Sequence, residues 1–243
     1  MARFFVESVA PTDQFLVLEG ENAAHAKVLR LKNGEAVTVC DGKGTDYACV
    51  VSDVSNGRIS LVVQHMNPSE SEPKIAATVY MGFSKADKFE HVIQKATELG
   101  ASRIVAFPCR RCVARPDEKS LAKKLERWQK IAASAAEQSG RGRIPEVAAL
   151  PSFEAMLKEA AAAELPVLFY ENERARTFQS AIQAGPFQSA ALITGPEGGF
   201  EAGEVAQAEA LGLNICTLGS RILRCETAPL CALSALMYAA GEF

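Results

Sequence analysis

Long apolar runs are absent from this 243-residue chain. No stretch approaches the roughly 18 consecutive apolar residues that a membrane-spanning helix needs. The N-terminal segment MARFFVESVAPTDQ also lacks the apolar core and the small-residue cleavage site of a signal peptide. Hydrophobic residues make up 48% and charged residues 23%, which suits a globular protein with a sizeable core. These features predict a cytoplasmic protein with no membrane partner.

A second close pair of cysteines is also missing. The seven cysteines are odd in number and scattered, which favours reduced thiols over a disulfide framework. Cys109 and Cys112 have the spacing of a zinc half-site or a redox dithiol, but a structural zinc needs two such pairs. The following residues, 113–116, predict a loop rather than the helix that a redox dithiol precedes. We therefore expect a coincidental spacing and no metal, and the three histidines have no ligand spacing either.

Charge is unevenly distributed along the chain. Residues 1–72 carry 6 Lys and Arg against 10 Asp and Glu, residues 73–150 carry 15 against 8, and residues 151–243 carry 5 against 11. A basic middle between acidic flanks suits a patch that faces phosphates. It equally suits lysine-rich, solvated helix faces, and charge alone does not decide between the two.

The pattern of the chain changes near residue 72. Residues 1–72 read as short strands around one helix, with tight turns predicted at Asn33-Gly34, Asp41-Gly42 and Asn56-Gly57, which predicts a small β-barrel or sandwich. The polar segment 67–74 is the best linker candidate. Residues 73–243 alternate strands and helices, which predicts an α/β domain with a mainly parallel sheet. The predicted strands are 3–8, 15–19, 36–41, 47–54, 59–66, 74–83, 103–108, 146–150, 165–171, 189–194 and 214–219, and the predicted helices are 21–31, 87–100, 117–140, 152–163, 201–212 and 226–238.

Two loops at predicted strand ends are the candidate ligand site. The first, TGPEGG at 194–199, lacks the lysine of a Walker loop and the glycine spacing of a dinucleotide fingerprint. Glu197 places a carboxylate where a phosphate would sit, so a neutral or cationic ligand is favoured. A purely structural turn, with Glu201 and Glu204 at the dipole of the next helix, is the alternative. The second loop, 218–229, brackets an Ile-Leu pair between two arginines, which suits a wall for a planar ring.

Together these segments carry a family resemblance. LITGPEGGF followed by LGSRILRCETAPLCALSAL resembles the paired signature of the RsmE family, the 16S rRNA uridine-N3 methyltransferases of the SPOUT class. Further matches run through HAKVLRL, IQKATELG and RWQKIAASAAEQSGRGRIPE. The resemblance therefore covers nearly the whole chain.

The resemblance implies a fold, a donor and partners. Residues 1–72 would be a PUA-like β-barrel that binds RNA, and residues 73–243 a SPOUT methyltransferase domain of the α/β class with a deep trefoil knot. The methyl donor would be S-adenosylmethionine, a sulfonium cation without phosphate, and the substrate 16S rRNA in the small ribosomal subunit. Members of the family are homodimers that pack through the knot region.

Residue roles follow from the resemblance as well. The donor would be lined by Thr194, Gly195, Glu197, Gly198, Leu218, Gly219, Ile222 and Leu223. Arg224 would stabilise negative charge on uracil, and Glu226 would orient Arg224 or assist proton removal. RNA contacts are expected from Arg3, His25, Arg30, Arg111, Arg141 and Arg143. The chain departs from relatives that often carry Pro and Thr at positions 220 and 225, where it has Ser220 and Cys225.

Two alternative functions share these features. A SPOUT 2′-O-ribose methyltransferase would use the same donor on a different acceptor atom, although the full-length match argues against it. A non-catalytic RNA-binding factor for ribosome assembly would keep the fold and transfer nothing. An enzyme that depends on ATP or NAD is a remote third reading.

Overall fold

The computed structural model describes residues 1–6, 9, 14–55, 57–113 and 116–243, without the side chain of Ala86. Three parts of the sequence predictions lie outside these ranges: residues 7–8 at the end of the first strand, Asn56 of one turn, and residues 114–115 of the loop after Cys112. The chain forms two compact units, Met1–Glu72 with Ala136–Ile144, and Pro73–Ala135 with Pro145–Phe243. No helix in the described ranges is long and apolar enough to cross a bilayer.

The first unit is a five-stranded sheet with one helix. Its strands lie in the order β1-β3-β4-β5-β2; β1 pairs with β3 in parallel and the other pairs are antiparallel. All five strands contribute to one apolar core, so the sheet curls into a half-barrel. Within the described residues β1 and β2 are edge strands, so the predicted barrel is open. The elements are β1 (Ala2–Phe5), β2 (Phe15–Leu18), α1 (Gly20–Val28), β3 (Ala36–Cys40), β4 (Thr45–Ser55) and β5 (Arg58–Pro68).

The turn between β3 and β4 illustrates how the sequence encodes this sheet. The Asp41 carboxylate accepts hydrogen bonds from the backbone N–H groups of Lys43 at 2.8 Å and Thr45 at 2.9 Å. Gly42 has φ of 70° and Gly44 has φ of 105°, which residues with a side chain rarely adopt. The predicted turn at Asp41 and Gly42 is confirmed.

Residues 136–144 contact the rest of the first unit through an ion pair and through backbone bonds such as that from the Gly44 N–H to the Gly142 carbonyl. Arg141 Nη2 donates to Glu72 Oε2 at 2.6 Å, and the side chains are only 4% and 18% exposed. Glu72 Oε1 also accepts from the backbone N–H groups of Gly142 and Arg143, at 2.9 and 3.0 Å. The first unit thus extends beyond residue 72 in a way that the composition of the chain does not signal.

Replacing Arg141 with alanine is expected to destabilise the first unit by about 3–5 kcal/mol, since the Glu72 carboxylate is left buried without its cation. Replacing the exposed Arg143 is expected to cost less than about 0.5 kcal/mol. Calorimetric unfolding of the two variants beside the unmodified protein measures the difference. Equal unfolding temperatures for both variants would contradict the structural role of the pair.

The second unit is a parallel sheet flanked by helices. Its strands lie in the order β11-β9-β10-β6-β7-β8, and every neighbouring pair is parallel. The predicted strands and helices are confirmed within a few residues of each end. The elements are β6 (Ala76–Gly82), α2 (Ala86–Glu98), β7 (Arg103–Phe107), α3 (Glu118–Ser139, which extends into the first unit), β8 (Glu146–Ala149), α4 (Phe153–Ala160), β9 (Leu165–Phe169), α5 (Phe178–Ile182), β10 (Ser189–Thr194), α6 (Ala202–Ala210), β11 (Asn214–Cys216) and α7 (Thr227–Ala239).

Helix α2 buries one apolar side against its neighbours. Phe89, Ile93 and Ala96 are buried, and the Phe89 ring meets Trp128 edge-on with ring centroids 4.7 Å apart. Gly100 follows two residues after the end of the helix; its φ of 96° and its N–H bond to the Thr97 carbonyl are typical of a glycine that terminates a helix. Helix α7 packs on α2, β6 and β10.

The strand order brings four strand ends together. Strands β11, β9, β10 and β6 are neighbours and run in parallel, so their carboxyl ends lie at the same edge of the sheet. Open α/β sheets bind ligands at this edge. The two candidate loops leave from β10 and β11 and therefore meet there.

Candidate functional site

A cavity of about 460 Å³ lies at this edge, between the loops that follow β9, β10 and β11, with Lys88 of α2 at its wall. Every residue that the sequence assigned to the donor lines it: Thr194, Gly195, Glu197, Gly198, Leu218, Gly219, Ile222 and Leu223. Of the two predicted catalytic residues, Arg224 lines it, whereas Glu226 is not a lining residue and lies behind Lys88 and Cys225, which are. The structure therefore brings the two predicted loops together around one cavity.

The loop after β10 is packed so tightly that side chains are excluded at its turns. A Cβ atom on Gly195 would lie 3.0 Å from the Gly199 Cα, and Gly199 itself has φ of 66°. Beneath the loop, a Cβ on Gly82 at the end of β6 would lie 2.6 Å from Cδ and 2.8 Å from N of Pro196. These glycines leave backbone, rather than side chains, to face a ligand.

The acidic residues after this loop have a structural role. Glu201 and Glu204 form a capping box at the start of α6, with the Glu201 N–H donating to Glu204 Oε2 at 2.9 Å. The other Glu204 oxygen accepts from the Arg110 N–H at 2.8 Å. The structural alternative for this turn placed Glu201 and Glu204 at the start of the next helix, and the structure shows both there.

Glu197, in the loop after β10, contacts the start of α2. Its Oε1 atom accepts from the backbone N–H of Lys85 at 3.2 Å and lies 3.5 Å from Lys88 Nζ. Burial raises the pKa of Glu197, but backbone N–H groups and the Lys88 ammonium outweigh burial and leave it below its ordinary value. A charged carboxylate at the cavity wall repels polyphosphates and tolerates a cation.

The second loop carries an arginine with an accessible guanidinium. Arg224 is exposed at the cavity, and no hydrogen bond or ion pair to its guanidinium comes from the described residues. Its carbonyl accepts from the N–H groups of Thr227 and Ala228, at 2.9 and 3.0 Å, so the first turn of α7 holds its backbone. Leu223 is half-buried beside it, whereas Ile222 is 80% exposed. The guanidinium is available for a substrate.

Glu226 contacts Lys88 and Cys225 rather than Arg224. Its Oε2 atom lies 3.3 Å from Lys88 Nζ and 3.2 Å from Cys225 Sγ. Burial raises the pKa of Glu226, but its own backbone N–H, the Cys225 thiol and Lys88 together lower it below the ordinary value. Burial and the contact with Glu226 raise the pKa of the Cys225 thiol to about 11, so it is a neutral donor at neutral pH.

Sequence reasoning missed several residues of the cavity. They share a position just beyond the carboxyl ends of β6, β9 or β11, which is the signal that could have identified them. Glu171 is among them, and its Oε1 atom would lie 2.6 Å from a Cβ on Gly199. The missed lining residues include Lys88, Phe169, Tyr170, Glu171, Arg174 and Thr217.

Known proteins resemble this chain over nearly its full length. Residues 70–237 match the RNA methyltransferase domain family, and residues 18–64 match the RNA methyltransferase PUA domain family. A Bacillus subtilis protein named ribosomal RNA small subunit methyltransferase E is 36% identical over 250 residues, which cover 98% of this chain and 96% of the relative. This chain belongs to the ribosomal RNA small subunit methyltransferase E family.

Other relatives agree with this assignment. A Mycobacterium bovis protein of the same name is 33% identical, over 96% of this chain and 90% of its own length. The crystal structure of a ribosomal RNA small subunit methyltransferase E from Neisseria gonorrhoeae, bound to S-adenosyl methionine, superposes with a TM-score of 0.85. It is 30% identical and covers 98% of this chain and 97% of its own. The family predicted from the loop motifs is confirmed.

Three of the residues predicted to contact RNA already pair with carboxylates within the first unit. Arg3 makes two hydrogen bonds to Asp46, at 2.6 and 2.7 Å, and its side chain is 14% exposed. The His25 Nδ1 atom lies 3.0 Å from Glu137 Oε1. Arg141 is buried against Glu72. An RNA phosphate would have to compete with these carboxylates.

The other three candidates are exposed. Arg30 has φ of 56° and lines a hollow of about 430 Å³ in the first unit, together with Lys27 and Arg58. Arg143 is exposed in the same unit. In the second unit, Arg111 donates from Nη1 to the Gly198 carbonyl at 3.0 Å, so it braces the loop after β10. Arg30 and Arg143 are the candidates whose charge is most accessible.

The Cys109 and Cys112 pair lies in the second unit. The two Sγ atoms are 3.3 Å apart and both residues are buried. Their mutual hydrogen bond and burial raise the pKa of the Cys109 thiol. Across the described parts of the chain, no group of three His, Cys, Asp or Glu side chains could hold a metal ion.

Proposed function

We propose that this protein transfers the methyl group of S-adenosylmethionine to N3 of a uridine in the 16S rRNA of the small ribosomal subunit. The observation that carries the proposal is the cavity at the carboxyl edge of the sheet, which combines backbone-lined loops with the accessible guanidinium of Arg224 and the nearby carboxylate of Glu226. The direct test is transfer from the donor to small-subunit RNA, with the modified nucleoside identified by mass spectrometry.

The cavity fits the donor in size and charge. Its volume of about 460 Å³ lies within the range of sites for small ligands. The Glu197 carboxylate suits a cationic ligand, and Gly195 and Gly199 permit close approach of the backbone. When bound, S-adenosylmethionine supplies a methyl group from its sulfonium. The assignment of S-adenosylmethionine as donor is also supported by the Neisseria gonorrhoeae relative, which was crystallised with S-adenosyl methionine.

Arg224 and Glu226 would prepare the acceptor. Uracil N3 carries a proton and is a poor nucleophile, so a base must take the proton and a cation must stabilise the resulting anion. Glu226 remains ionised well below neutral pH and would accept the N3 proton. Arg224 has no carboxylate partner in the described residues and would face the uracil oxygens. Because Glu226 contacts Lys88, the role of proton acceptor is favoured over that of orienting Arg224.

The rest of the proposal concerns the assembly. Residues 1–72 would be the RNA-binding PUA-like domain and residues 73–243 a methyltransferase domain with a trefoil knot, active as a homodimer in the cytoplasm. The knot is supported by the path of the chain, which leaves β11 at the sheet edge and returns through α7 to pack on β10 and β6. The dimer is supported by the exposed side of α7, where Tyr238 is 76% exposed and Cys231 is exposed.

RNA affinity is expected to fall steeply as salt rises, because binding of phosphates by cationic side chains releases counterions. Replacing Arg30 or Arg143 with alanine should each reduce the slope of log affinity against log salt by about 0.7–0.9 for each phosphate that the arginine neutralises. Titration of a labelled 16S rRNA fragment between low and moderate salt measures the slope. An affinity that stays flat over this range would contradict a phosphate-facing basic surface.

A further inference from the structure

We propose that Lys88 is a positioning residue for the methyl transfer: it holds Glu226 ionised and oriented so that Glu226 can take the N3 proton of uridine. The inference rests on the proposed function and goes beyond it, because Lys88 belongs to neither of the two loops that carry the family motifs. It stands on a cluster of contacts among Lys88, Glu197, Glu226 and Cys225.

Lys88 lies where three segments of the second unit meet. It belongs to the first turn of α2, and its Nζ atom is 3.5 Å from Glu197 Oε1 in the loop after β10. The same atom is 3.3 Å from Glu226 Oε2 and 3.6 Å from Cys225 Sγ in the segment after β11. Its side chain is 21% exposed and lines the cavity. One ammonium group therefore joins both loops of the site to α2.

The Lys88 ammonium lies between two carboxylates and balances their negative charge. Glu197 and Glu226 approach Nζ from different loops, and the third titratable neighbour, Cys225, is a neutral thiol at neutral pH. Without Lys88, two carboxylates would share the site with no cation between them, and like charges favour the protonated form of one of them. With Lys88 in place, Glu226 is ionised and can accept the proton of uracil N3.

The contacts also orient the Glu226 carboxylate. The Lys88 ammonium and the Cys225 thiol both approach Oε2. These two contacts fix one oxygen of the carboxylate between Lys88 and Cys225. Lys88 itself is a donor without an acceptor while it is charged, so it acts through Glu226 and not as the base.

The proposal predicts a change in the pH dependence of the rate. If proton removal by Glu226 is impaired, methylation must proceed through the small fraction of uracil that is already ionised, and that fraction rises about tenfold per pH unit below the pKa of N3. Lys88→Met should lower kcat at pH 7 by about 10–100-fold and convert a flat profile between pH 7 and 9 into one rising about tenfold per unit. Lys88→Arg should restore most of the rate and the flat profile.

The experiment uses the full-length protein with small ribosomal subunits and saturating S-adenosylmethionine, and donor affinity is measured separately by calorimetry. Glu226→Gln should reproduce the steep profile, and the double variant Lys88→Met with Glu226→Gln should be no slower than Glu226→Gln alone. Glu197→Gln, which keeps both Lys88 and Glu226, should keep a flat profile whatever its rate. Lys88→Gln replaces Lys88→Met if the latter does not fold.

Two results would overturn the proposal while leaving the proposed function intact. One is a flat pH profile for Lys88→Met or Lys88→Gln with an active unmodified protein. The other is full additivity of the losses at Lys88 and Glu226, which would indicate independent structural effects. Absence of 3-methyluridine with the unmodified protein would instead reject the proposed function, and this inference with it.

Discussion

Replacing Arg224 with alanine is expected to reduce kcat for methylation by about 100–1,000-fold while donor affinity changes by less than about threefold. The guanidinium is exposed at the cavity, and its backbone is held by the first turn of α7, so the change removes charge without disturbing the loop. Steady-state rates on small ribosomal subunits and calorimetric titration of the donor measure the two quantities.

The matched control for this variant is Arg221→Ala. Arg221 is also exposed, lines the same cavity and lies three positions earlier in the same loop. It is expected to lose less than about tenfold in kcat, because the proposed uracil contact is made by Arg224, and an exposed cation without such a contact is screened by water. Equal losses for the two variants, or an unchanged rate for Arg224→Ala, would refute the assigned role.

Replacing Gly82 with alanine is expected to weaken donor binding by about 10–100-fold, the equivalent of the 1–3 kcal/mol by which overpacking disturbs a tight site. The new Cβ would lie 2.6 Å from Cδ and 2.8 Å from N of Pro196, and neither atom belongs to a flexible side chain. Pro196 must move, and the loop from Thr194 to Gly199 must move with it. Calorimetric titration with S-adenosylmethionine measures the loss.

Gly203→Ala is the control for this prediction. Gly203 lies in α6, and an added Cβ would meet no atom within 4 Å. Alanine in a helix is favoured over glycine by about 0.5–1 kcal/mol, so this variant should bind the donor normally and unfold at a slightly higher temperature. If Gly82→Ala and Gly203→Ala bound the donor with equal affinity, the tight packing beneath the loop would have no part in donor binding.

Local patterns predict most of this fold. The parallel strands and amphipathic helices of the second unit follow from residues whose spacing fixes which face is buried, as at Phe89 and Ile93 of α2. Helix α5 was not predicted, because a single short turn of helix has too few residues to show a period. For the first unit the sequence predicted a small barrel or sandwich without deciding between them, since strand propensity does not determine which edges pair; the structure shows a half-barrel.

The site was only partly predictable for a related reason. Loop motifs indicated Arg224, Glu226 and the glycine turn, since all lie within two short segments. The partner of Glu226 is Lys88, and the adjacent Cys225 is 137 residues from Lys88 along the chain. Only the strand order, which places β6 beside β10, brings α2 to these loops. The engagement of Arg3 and Arg141 by carboxylates is equally a tertiary property.

Small ribosomal subunits from cells that lack the gene for this protein provide the most direct test of the account. They are incubated with the purified protein and S-adenosylmethionine, and the nucleosides of the digested 16S rRNA are identified by mass spectrometry. The account predicts new 3-methyluridine that depends on both the protein and the donor. A ribose-methylated nucleoside, or no modified nucleoside although the donor is bound, would contradict it.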